Sequence, residues 1–168
     1  MSEALPPNKG STVISNVEQI ARDFTTVARL AGVELPDGSI LVEVLSAPHV
    51  SPTKLPAGKM GVYVFAKGGE TLKVGKVGAK SNARYTSQHY NPGSAVSTLA
   101  ASILSDAGAH SLTGDDIVDV GNWIRTHVDR VNFLIDKRFG RHVLALFETF
   151  VQCRLNPKYE GFKSQALA

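Results

Sequence analysis

The chain has 168 residues, 43% of them hydrophobic and 20% charged, with a net charge of +3. One domain is the expectation at this length, with about two-thirds of the unfolded surface available for burial. The single cysteine, Cys153, excludes an internal disulfide and a thiolate-built zinc site, and the mild positive charge is compatible with a nucleic-acid partner without requiring one. No apolar run reaches the roughly 18 residues of a membrane span, and the first residues lack the basic and apolar regions of a secretory signal. A reducing cytosol is the expected compartment.

Residues 1–14 read as a loose arm. Ser15-Asn16-Val17-Glu18 has the form of a capping box, and Val17, Ile20, Phe24, Val27 and Ala31 follow at helical spacing. The pattern predicts a helix over about residues 16–31, stopped by Gly32, and a strand over residues 39–45. Residues 47–59 read as a linker. The chain therefore divides into an N-terminal helix and strand extension, residues 1–55, and a main domain, residues 56–168. The extension is expected to supply DNA contacts or a dimer face.

Residues 61–66 and 71–77 are β-rich runs joined at Gly68-Gly69, a hairpin signal. A two-residue loop would set Tyr63 opposite Val74. A three-residue loop including Lys67 would set Tyr63 opposite Lys73 and put both on one face. The second register is expected, because a shared site needs it. Further on, the pattern predicts a short helix over residues 82–90 capped by Ser81, a helix over 97–104, and one from Thr113 to about His127. A third strand over 128–135 and a last helix over 141–155, stopped by Asn156-Pro157, complete the series. The expected fold is α+β: a small antiparallel three-stranded sheet flanked by helices, with the N-terminal extension added.

Leu144, Glu148, Val151 and Leu155 fall on one helical stripe. Three are apolar, so Glu148 points inward or lies at the rim of the core. A carboxylate there requires a compensating cation, Arg or metal; a structural Arg pair or a swing to solvent is the plainer alternative. Arg84 sits in the first turn of its helix, where anions are favoured. A guanidinium beside the free N–H groups would suit a phosphate, although a lone Arg is more often simply exposed. Tyr63 alone is a strand tyrosine packing its ring, and His89 alone is a structural histidine that titrates in a useful range. Ala79-Lys80-Ser81 hints at a phosphate loop, but Val74 and Ala79 stand where that loop needs glycine.

Together these residues resemble the GIY-YIG nuclease superfamily over about residues 61–160. Gly61-Val62-Tyr63 looks like the first motif and Lys73-Val74-Gly75 like the second, with Lys73 in place of the usual tyrosine. Arg84, His89, Glu148 and Asn156 follow in family order. The resemblance implies a metal-dependent endonuclease, of stand-alone restriction or defence type, cutting double-stranded DNA as a possible homodimer. It implies that Glu148 holds one Mg²⁺ or Mn²⁺, and that Tyr63, assisted by Lys73 or His89, activates or orients water. Arg84 would stabilise the developing charge and Asn156 would support the Glu148 region. Lys76, Lys80, Asn91, Arg125 and Arg130 are candidate nucleic-acid contacts, with a solvated basic face as the alternative. A binding module without cleavage, or a nuclease acting on RNA or branched DNA, is the competing reading.

Overall fold

The computed structural model describes residues 15–95 and 97–159. Four strands, β1 (Leu41–Leu45), β2 (Lys59–Lys67), β3 (Glu70–Val77) and β4 (Asp129–Asp136), form one antiparallel sheet in the order β1-β4-β2-β3. The helices are α1 (Val17–Leu30), α2 (Asn82–Thr86), α3 (Leu99–Ser105), α4 (Gly114–Val118), α5 (Val120–His127) and α6 (Gly140–Leu155). Single 3-10 turns at Gln88–Tyr90 and Lys137–Phe139 join α2 to the next loop and β4 to α6.

The expected three-stranded sheet is corrected to four. The 39–45 run does form a strand, but all five residues of β1 pair with β4, from Leu41 opposite Leu134 to Leu45 opposite Arg130. β4 pairs on its other side with β2. Alternating apolar character marks a strand locally, whereas its partner is set by contacts some 90 positions away in sequence, which periodicity does not carry.

Both faces of the sheet are covered, which explains the near-continuous apolar run of β2. On one face Val62, Val64, Val74, Val131 and Phe133 pack against α1 and α6, where Phe24 stacks on Phe147 at 4.0 Å between ring centroids. On the other face Tyr63, Phe65 and Leu72 pack against Tyr90, Leu99, Ile103, Trp123 and Ile124. Several local expectations need adjusting. Asn16, not Ser15, is the residue before α1, and it makes no side-chain cap bond. The 82–90 helix is a five-residue α-helix followed by a 3-10 turn, and Ser81 makes no side-chain cap bond either. The helix expected up to His127 is broken at Asp119, whose side chain caps α5 by accepting from the Asn122 N–H. The capping box at Thr113 forms as expected.

The β2–β3 hairpin follows neither simple register. Lys67 opposes Glu70, so the loop is the two-residue Gly68-Gly69 turn, with both glycines at positive φ. An irregularity then leaves Leu72 as an extra residue on β3, and beyond it Phe65 opposes Lys73 and Tyr63 opposes Gly75. The expected Tyr63–Lys73 pairing is therefore replaced by Tyr63–Gly75. Lys73 and Gly75 are two apart on β3, so Lys73 still shares the face of Tyr63.

Candidate active site at the edge of the sheet

The pairing aligns Glu43, Asn132, Tyr63 and Gly75 in one row across the four strands. The adjoining row holds Arg130, Phe65 and Lys73. Polar groups thus line one face of an otherwise apolar sheet. Gly75 is required here: a methyl group added at its Cα would overlap the phenol ring and hydroxyl of Tyr63. The Tyr63 side chain therefore lies across β3, the outer strand of the sheet, and directs its hydroxyl toward that edge.

Glu148 approaches the same edge from the opposite face. Leu144 and Val151, its neighbours on the α6 stripe, are buried, while the Glu148 side chain is 17% exposed. It is at the rim of the core, as its helical spacing requires, and its carboxylate pairs with Lys76, the residue after Gly75. The expected alternative of an Arg partner is not what occurs.

His89 is packed against Tyr63, with ring centroids 4.5 Å apart. Only 2% exposed, it accepts the Leu99 N–H at Nδ1, 3.3 Å away, so in the neutral ring the proton resides on Nε2. Nε2 has no hydrogen-bond partner among the described residues. Burial, reinforced by Lys73, Arg130 and Arg84, pushes the His89 imidazole down to about 3. It is neutral at physiological pH and, with Nδ1 occupied by the Leu99 N–H, a weak base toward Tyr63. Burial likewise pushes the Tyr63 phenol up to about 12, opposed by the nearby Arg84 and reinforced by Glu148. Tyr63 is protonated in the resting protein. Lys73 is buried, with its ammonium donating to Ser97 Oγ at 3.0 Å.

His89 also links stability to pH. The unfolded imidazole takes up a proton near pH 6.5, the folded one only near 3, so its contribution is complete above pH 6.5 and is lost as pH falls below that value. Between pH 6.5 and 5 the loss is about 2 kcal/mol. Urea denaturation across this range is expected to show that slope, and His89→Gln should flatten it, leaving the smaller same-sign contributions of His49 and His110. An unchanged slope in His89→Gln would contradict the assignment.

The remaining candidates divide. Arg84 is exposed on α2 and near enough to influence both Tyr63 and His89. Lys80 and Asn91 are exposed, and the Asn91 Oδ1 accepts the Gly93 N–H at 3.1 Å. Arg125 is half-buried, donates to Ser51 Oγ at 2.9 Å and stacks over Tyr90. Arg130 is not a surface contact: it is fully buried. Its guanidinium donates to Asn132 Oδ1, the Tyr90 hydroxyl and the Tyr85 carbonyl, and stacks against Phe65 and Tyr85. Asn156 does not support Glu148. It ends α6 in a left-handed conformation and lines a cavity of about 410 Å³ with Gly69, Glu70 and Thr71, at the hairpin end of the sheet. Eight residues of helix place it about 12 Å along the axis from Glu148.

Sequence reasoning missed Glu43, Asn132, Tyr85 and Tyr90. Asn132 and the Tyr85 hydroxyl both donate to Glu43, and Tyr90 is shared by Arg130 and His49. The spacing Arg130-x-Asn132 within an apolar strand, two polar residues on one face, is the signal that could have found this network.

Among the described residues no three His, Cys, Asp or Glu side chains gather as a ready-made metal cage. Glu148 instead offers one half-buried carboxylate, paired with Lys76, which could contribute a single oxygen ligand to a hard cation. No family model matches this chain, and neither a curated protein nor a solved structure does.

Proposed function

We propose that the chain is a metal-dependent endonuclease of GIY-YIG type that hydrolyses DNA phosphodiester bonds, in a restriction or defence role. The observation that carries this reading is the convergence at one sheet edge of Tyr63, Arg84 and Glu148. The Tyr63 hydroxyl is laid over Gly75, with Lys73 and His89 beside it. These residue types, in this order along the chain, are the parts the family resemblance calls for.

Glu148 would hold one Mg²⁺ or Mn²⁺, which when bound supplies Lewis-acid stabilisation of the scissile phosphate. Tyr63, a neutral phenol at rest, offers oxygen lone pairs that orient an attacking water and a proton that can hydrogen-bond the phosphate. Arg84, exposed on α2, would neutralise negative charge as it builds on the phosphoryl oxygens. The neutral His89 ring packs against the Tyr63 ring and helps hold it in place. Lys80 and Asn91 are the exposed groups best placed to meet the nucleic-acid backbone.

Pure protein incubated with plasmid, single-stranded DNA and RNA, each with Mg²⁺, Mn²⁺ or EDTA, tests this. Cleavage of duplex DNA with metal and none with EDTA is expected. Cleavage of RNA alone would move the substrate class, and no cleavage of any substrate would favour a binding module.

A further inference from the structure

We infer that Lys76 is a positioning residue of this site: its ammonium holds the Glu148 carboxylate until a divalent cation displaces it. The inference rests on the metal-dependent reading above and goes beyond it to how the site is kept folded and ready before metal arrives. Glu148 is fixed. Its side chain is 17% exposed and lies on a stripe whose Leu144 and Val151 are buried, so α6 cannot rotate to carry it into solvent without uncovering the core. A carboxylate so placed needs a cation at all times. Lys76 is the partner that can move, because its side chain is 43% exposed on the outer strand. Its ammonium already contacts a Glu148 oxygen, so metal and Lys76 compete for the same electron pairs. Lys76 follows Gly75 on β3 and so faces α6 rather than Tyr63, but β3 is the outer strand, so the displaced ammonium stays at the same edge of the sheet toward which the Tyr63 hydroxyl is directed. Exchange of the ammonium for a divalent cation keeps the Glu148 carboxylate compensated, and it leaves the edge net positive, with the displaced ammonium on the substrate side as the metal enters.

Mn²⁺ titration of the full chain without DNA, followed by electron paramagnetic resonance of the free ion, tests this. Lys76→Met and Lys76→Gln are each expected to bind Mn²⁺ about fivefold more tightly than wild type. Lys76→Arg is expected to retain wild-type affinity, and the gain should vanish when Glu148→Gln is added. A second readout uses the wild type alone: saturating Mn²⁺ should increase acetylation of Lys76 by an amine-reactive ester relative to Lys80, measured by mass spectrometry. Glu148-dependent Mn²⁺ binding that Lys76→Met and Lys76→Gln leave unchanged or weaken would overturn the exchange while sparing the nuclease reading. Absence of Glu148-dependent Mn²⁺ binding in every variant would overturn both. Should neither neutral variant fold, Lys76 acetylation decides: an increase with Mn²⁺ supports exchange, and no change overturns it.

Discussion

Arg130→Ala is expected to destabilise the fold by about 3–5 kcal/mol. The guanidinium is fully buried and has no carboxylate partner among the described residues; it is held by Asn132 Oδ1 at 2.9 Å, the Tyr90 hydroxyl at 3.2 Å and the Tyr85 carbonyl at 2.7 Å. Truncation removes all three donors at once and leaves a void between Phe65, Tyr85 and Tyr90. Arg130→Met keeps much of the volume and the contact with the aromatic rings, so its loss should be smaller. Urea denaturation followed by Trp123 fluorescence measures both. A cost below about 1 kcal/mol for the alanine variant would mean that the guanidinium is not the structural centre of this face. The same charge lowers the proton affinity of His89 and Tyr63, so Arg130 connects the stability of the sheet to the chemistry at its edge.

Tyr63→Phe is expected to lower metal-dependent cleavage by about 10²–10⁴-fold while changing stability by less than about 1 kcal/mol. The small stability effect follows from the site: the ring is retained over Gly75 and against His89, and only the hydroxyl is removed. The large activity effect follows from the hydroxyl being the group directed to the edge where Arg84 and Glu148 exert their influence on it. Parallel plasmid-cleavage and urea-denaturation measurements separate the two. Near-wild-type cleavage by Tyr63→Phe would remove the phenol from the reaction.

The parts legible in the sequence are those fixed by local periodicity. The position of Glu148 at the rim of the core follows from the 3.6-residue repeat of α6 alone. The glycines of the hairpin marked its turn, and Thr113 marked the start of α4. What the sequence did not reveal is set by non-local contacts. The place of β1 in the sheet depends on β4, more than 80 residues later. The Leu72 irregularity moved Tyr63 opposite Gly75, yet kept Lys73 on its face, so the expected neighbourhood formed by a different register. Arg130 reads as a surface cation because a strand arginine ordinarily is one; its burial depends on aromatic rings from β2, α2 and the following turn. Asn156 matched a motif by order along the chain, but helix length carried it to the other end of the sheet.

The central claim, that Glu148 at the edge of β3 is the metal-binding carboxylate of a phosphodiester-cleaving site, is tested most directly by Glu148→Ala. Wild type and variant are compared for plasmid cleavage in Mg²⁺ or Mn²⁺ and for DNA binding by gel shift in EDTA. Loss of cleavage by at least about 10³-fold, with DNA binding largely retained, is the predicted result. Metal-dependent cleavage by the folded variant at the wild-type rate would contradict it.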